Sequence, residues 1–143
     1  MQPPDSETEA AHWLMRADRD LEAVVELVSA ARPLPDIAVF HAQQAAEKAL
    51  KAFLVAKRRQ FARTHDLVAL LADCVALEPR FTEYLAAAQT LSPYATRFRY
   101  PSPGVPTEPS IAEADTAVEL ARSLLTFVRG CIGKINSSQA SES

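Results

Sequence analysis

The stretch "FHAQQAAEKALKAFLVAKRRQFARTHDL", Phe40 to Leu67, places an imidazole, amides and ammonium groups at helical spacing. His41, Gln44, Lys48 and Lys51 fall within about a quarter-turn of one another on a helical wheel, and Gln43 and Glu47 complete the polar arc. Lysines beside amides and an imidazole suit a phosphate and a base edge. They suit a solvated face equally well, with Glu47 and Lys51 an i,i+4 pair worth about tenths of a kcal/mol. His65 follows Thr64 at an expected helix start, where the dipole favours a neutral imidazole able to move a proton. As a general base it needs a cation on the same phosphate, and Arg58, Arg59 and Arg63 are near in sequence. Its other role is local capping and packing. In "TRFRYP", Arg97 and Arg99 can hold phosphate and Tyr100 can stack on a base. The alternative there is a loop pinned by Phe98 and Tyr100, with the arginines paired to acids.

Those residues depend on helices for their placement. Trp13, Ala17, Leu21, Val24 and Val28 make the stripe of a first helix, opened by a Ser6/Glu9 capping box and stopped by Pro33 and Pro35; Trp13 belongs to its core face. Asp36 is the expected cap of a second helix reaching about Lys57. Its Ala38, Ala42, Ala45, Ala49, Ala52 and Ala56 seam lets a neighbour approach closely, which predicts a central position in a bundle. Thr64 is the expected cap of a third helix bearing Leu67, Leu70, Leu71, Cys74 and Val75. A fourth restarts at Glu78-Pro79 with Phe81, Tyr84, Leu85, Ala88 and Leu91. After the proline-rich loop Tyr100 to Ser110, a Ser110/Glu113 capping box opens a long last helix striped by Ile111, Ala114, Val118, Ala121, Leu125, Val128 and Ile132. The fold class is all-α: an antiparallel up-and-down bundle of four long helices plus a shorter one. Residues 1–8 are a polar tail, 9–134 the bundle, and 135–143 a disordered polar tail.

Composition agrees. A chain of 143 residues with only three glycines fits one helix-rich domain able to bury a core without staples. A net charge of −3 opposes non-specific coating of nucleic acid while allowing a local basic patch. Cys74 and Cys131 lack CxxC spacing or histidines in ligand register, so they are expected as buried free thiols in a reducing cytoplasm. The polar, acidic N-terminus is no signal peptide, and no apolar run reaches membrane-spanning length. Neither a metal nor a cofactor is expected.

"FHAQQAAEKALKAFL", "RTHDL" and "YATRFRYP", in this order and at these separations, resemble the prokaryotic HEPN-domain family over roughly Glu9 to Lys134. The resemblance implies a helical bundle that dimerises, and a minimal nucleotidyltransferase as partner, often in a toxin–antitoxin pair. Ile37, Phe40 and Leu54, lying off the alanine seam, are the apolar residues expected to serve a homodimer. Some members are metal-independent ribonucleases using an Arg followed after four to six residues by His near the last long helix. Here Arg97 and Arg99 lead instead into Ser102, Pro103, Gly104, Val105 and Pro106. The expectation is therefore a binding subunit for a nucleotidyltransferase and a nucleotide or RNA, with Gln44, Lys48, Arg97, Arg99 and Tyr100 as binding residues and His41 and Lys51 as contributors. The alternative is a ribonuclease toxin using His65 and Arg59.

Overall fold

The computed structural model describes residues 5–101, 103, 104 and 106–142. They form α1 (Ser6–Ser29), α2 (Pro35–Ala56), α3 (Leu67–Leu77), a 3-10 turn (Pro79–Tyr84), α4 (Leu85–Leu91), a second 3-10 turn (Ser92–Ala95) and α5 (Ile111–Glu142). No strand occurs among the described residues. The all-α bundle expected from the stripes is the fold. Its long members are α1, α2 and α5. The segment expected as one fourth helix divides at Tyr84 into a 3-10 turn and the seven-residue α4.

α2 is the central element, and its alanine seam is the reason. Ala38, Ala42, Ala45, Ala49 and Ala52 are fully buried, so α1 and α5 pack close against the α2 backbone. α1 runs antiparallel to α2: Trp13 meets Lys51, while Asp20 meets Lys48 and His41. It also runs antiparallel to α5, since Asp18 pairs with Arg129 whereas Glu22 and Glu26 lie beside Arg122. Beyond α2 an aromatic chain closes the core. Phe81 stands 4.6 Å from Phe53 and 4.9 Å from Phe127, and Tyr84 stacks on Phe127 at 4.8 Å.

The starts of α1, α2 and α3 differ from expectation by a residue or two, each for a traceable reason. Asp5, not Ser6, caps α1 by accepting from the Thr8 N–H at 2.7 Å. α1 therefore begins inside the expected tail, and residues 1–4 lie outside the described residues. Asp36 sits in the first turn of α2 behind Pro35, so Leu34 occupies the cap position without a side-chain bond. Asp66 caps α3, taking the N–H groups of Val68 and Ala69; Thr64 instead accepts from the Asp66 N–H, which leaves His65 outside the helix. Ser110 accepts from the Glu113 N–H as expected. The polar stretch expected as a disordered tail from 135 continues α5 to Glu142. In the proline-rich loop, Ser102 and Val105 lie outside the described residues.

α2 ends in a Schellman motif. Arg58 N–H donates to Val55 O at 2.9 Å and Arg59 N–H to Leu54 O at 2.8 Å. That geometry requires left-handed backbone at Arg58, whose φ is 57°. Glycine is the usual occupant; a residue with a Cβ costs about 1 kcal/mol there.

Removing the keystone of the aromatic chain should be severe. Phe81 is fully buried, so Phe81→Ala is expected to lower unfolding free energy by about 3–5 kcal/mol, read as a reduced urea midpoint. A loss under about 1 kcal/mol would contradict the packing described.

Candidate functional site

The polar arc of α2 is organised by two buried carboxylates. Asp20 projects from α1 into the α1–α2 seam, and its two oxygens take His41 Nδ1 at 2.8 Å and Lys48 Nζ at 2.6 Å. Glu47 lies one helical turn before Lys51, whose Nζ donates to it at 2.9 Å, and it also takes His65 Nδ1 at 2.7 Å. Gln43 donates to both Glu47, at 3.2 Å, and the His65 carbonyl, at 3.2 Å. Gln44 donates to the Gln43 side-chain oxygen Oε1 at 2.7 Å, which links the outer arc to the inner one. Since a carboxylate only accepts, both imidazoles present Nδ1–H to their partners. Their Nε2 atoms point away from the carboxylates.

Glu47 has a side chain only 5% exposed. Burial pushes its carboxyl up, but hydrogen bonds from Lys51, His65 and Gln43 outweigh that and hold it below the ordinary glutamate value. Lys51 is covered by rings. Its Nζ lies 5.3 Å from the Phe61 centroid and 5.7 Å from that of Trp13. Trp13, expected in the core, is half-buried and packs against it, with Phe61 meeting its ring edge-on at 5.8 Å.

The "TRFRYP" segment divides between the two roles considered for it. Tyr94 donates to Glu113 at 2.6 Å, Arg97 reaches the same oxygen at 3.4 Å, and Phe98 stacks on Tyr94. Burial, and then this bond to Glu113, pushes the Tyr94 hydroxyl pKa well up, so it stays protonated. Arg97 is thus a partner of the α5 N-terminus. Arg99 instead lies over the Phe40 ring at 4.6 Å, and Tyr100 is 68% exposed. Arg99 therefore comes to α2 one turn before Gln44.

The structure gathers His41, Gln44, Lys48, Lys51 and His65 around two carboxylates, and joins Arg99 to the start of that arc. It does not join Arg59 to His65: Arg59 lines a groove with Arg58, Arg63 and Glu9, and no arginine bonds to His65 or Glu47 among the described residues. Leu54, expected on an outer face, is fully buried, because α2 is covered on nearly every side. Sequence reasoning misses Asp20. A signal for it exists, since it lies three residues after Ala17 and four before Val24, within the buried stripe. Among the described residues, no three His, Cys, Asp or Glu side chains form a metal-holding group. Both cysteines are buried and free, and burial, then Asp73, pushes Cys74 up to about 12. No helix among the described residues is long and apolar enough to cross a membrane.

An all-helical bundle whose central helix carries a buried polar arc defines the class, and comparison with known proteins supplies the family. The HEPN domain model matches residues 10–131, so the chain belongs to the HEPN family. Among solved structures, the chain is similar to ST0689, an archaeal HEPN homologue, with 28% identity and a TM-score of 0.70 over 86% of this chain and 97% of that one. It is also similar to TT1696 from Thermus thermophilus, with 32% identity and a TM-score of 0.67 over 85% and 96% of the two chains. Comparison with curated proteins gave no match.

A carboxyl held low contributes stability that is fully present above its unfolded value and lost as pH falls through the folded one. Wild-type thermal stability should therefore decline on acidification below about pH 4. Glu47→Gln should be less stable at neutral pH, because Lys51 loses its partner, and should show a flatter acid decline. Parallel acid profiles for the two proteins would show that Glu47 is not held in this way.

Proposed function

We propose that the chain is a non-catalytic binding subunit: a HEPN protein that assembles with itself and with a minimal nucleotidyltransferase, and takes up a nucleotide or RNA segment where Arg99 meets α2. The observation that supports this reading is the seat of Arg99 on Phe40, one helical turn before Gln44, with the exposed Tyr100 next in sequence. Arginine supplies planar contacts to phosphate, and an exposed tyrosine ring supplies a stacking surface for a base. Leu34 and Ile37, 48% and 43% exposed at the start of α2, extend the same region as an apolar border suited to a protein partner. Lys48 and Lys51 contribute less than their charges suggest, since Asp20 and Glu47 already neutralise them.

One observation favours the ribonuclease alternative. The His65 side chain is 70% exposed while its Nδ1 is fixed by Glu47, an arrangement that orients an imidazole for proton transfer at Nε2. What argues against it is that no described arginine bonds to this pair: a phosphorane needs a positioned cation as well as a base.

In a metal-free assay, the purified protein should leave mixed-sequence RNA intact, as should His65→Ala and Arg97→Ala. Binding of ATP or single-stranded RNA should weaken about tenfold in Arg99→Ala, consistent with the loss of one charge-assisted contact. Robust cleavage abolished by His65→Ala would replace the binding reading with the ribonuclease one. Binding unaffected by Arg99→Ala would remove the proposed location.

A further inference from the structure

Of the three imidazoles, only that of His65 is both held and open. His41 is held by Asp20 in the same way, but its side chain is 31% exposed and Phe40 meets its ring at 5.5 Å. His12 is exposed and bonds to no carboxylate among the described residues. The His65 Nδ1 lies 2.7 Å from Glu47 Oε1, while the side chain is 70% exposed. Gln43 fixes the same residue from a second side by donating to its main-chain carbonyl. No other partner meets the ring among the described residues, so Nε2 faces solvent.

That geometry makes a directed nucleophile. With the proton on Nδ1, the free electron pair of the neutral ring is on Nε2. When Nε2 attacks an electrophile, positive charge develops across the ring and on the Nδ1–H group. Glu47 accepts from that group, and its side chain is only 5% exposed, so water screens its charge little. Lys51 offsets part of this charge, but through the opposite oxygen, Oε2. Because Lys51 and Gln43 hold the carboxylate in place, it need not turn toward the ring during the reaction. The flanks suit an anionic electrophile. Arg63 is exposed and forms no salt bridge among the described residues, whereas Asp66 has an oxygen engaged by the Val68 and Ala69 N–H groups.

We propose that His65 is a phosphoryl-accepting residue: its Nε2 takes a phosphoryl group from a small acyl phosphate or phosphoramidate, and Glu47 stabilises the product through Nδ1. The Nε2–P bond forms as the donor's P–O or P–N bond breaks. The leaving group departs with that electron pair, as a carboxylate from an acyl phosphate or as ammonia from protonated phosphoramidate. The proton on Nδ1 stays, so the ring becomes a phosphoimidazolium whose positive charge faces Glu47. This use of His65 needs no second cation on the phosphorus, which general-base cleavage of RNA does. It uses neither Arg99 nor Tyr100, and so stands apart from the binding reading.

The test is to incubate the full chain with potassium phosphoramidate at about pH 8, where imidazoles are neutral, and to follow each histidine by peptide mass analysis. His65 should gain one acid-labile phosphoryl group about tenfold faster than His12 in the same molecules, as one charge-assisted contact allows. Phosphorus-31 NMR should place the bond on Nε2. In concentrated urea, where Glu47 no longer holds the ring, the two histidines should react alike. Glu47→Gln, shown to be folded by circular dichroism, should lose the preference as well; if it does not fold, the urea comparison carries the same point. Equal rates at His65 and His12 in the native protein would overturn the proposal. A bond to Nδ1 would do so too, as would a preference that persists in urea or in folded Glu47→Gln.

Discussion

The burial of Glu47 is the constraint around which the bundle is arranged. An ionised carboxylate withdrawn from water is penalised by several kcal/mol unless donors surround it. Here the donors come from three places: Lys51 one turn on, Gln43 one turn back, and His65 from the connection that precedes α3. Satisfying Glu47 thus fixes the path of the chain between α2 and α3. It also fixes Lys51, whose ammonium draws Phe61 and Trp13 over itself and so ties the same connection to α1. Asp20 repeats the device between α1 and α2, with His41 and Lys48 as its partners. Every polar atom in the buried side chains described has a partner, as such an interior demands.

That arrangement sets how much charge each cation presents to solvent. A lysine facing solvent offers its whole charge to a phosphate; one held at 2.6 Å by a buried aspartate offers little. The polar arc therefore stiffens α2, and cations without a buried carboxylate partner lie near its two ends. At one end Arg99 rests on Phe40 beside Tyr100. At the other, Lys57, Arg58 and Lys134 surround a groove without salt bridges of their own among the described residues. The family likeness to ST0689 and TT1696 concerns the bundle.

How far the sequence could be read follows from which forces act locally. The stripes of α1, α2 and α5 are periodic over many turns, so their existence and the central place of the alanine-seamed helix were legible. Caps were less so. Ser6 and Thr64 each have an aspartate within two residues, and which side chain reaches the free N–H groups depends on backbone path rather than residue type. Of the candidate residues, His41, Gln44, Lys48 and Lys51 were legible as one polar arc, but a helical wheel assigns polar residues to water by assumption, and His65 was read apart from them. Gln43, Glu47 and Lys51 are buried because alanines on either side bring neighbours close enough to cover them. Asp20 lies on a different helix, and only tertiary packing brings it to His41. The split of the fourth helix at Tyr84 likewise follows from packing, since Phe81 and Tyr84 turn together onto Phe127.

The claim that the imidazoles belong to an internal brace is tested most directly by their tautomers. Long-range proton–nitrogen correlation NMR, recorded where the rings are neutral, reports which ring nitrogen carries the proton, and the exposed His12 serves as reference. His41 and His65 should both carry it on Nδ1, bound to Asp20 and Glu47, with Nε2 bare. His12 should show the mixture of a free imidazole. If His41 and His65 instead match His12, the carboxylates do not hold them, and the account of the bundle's interior is wrong.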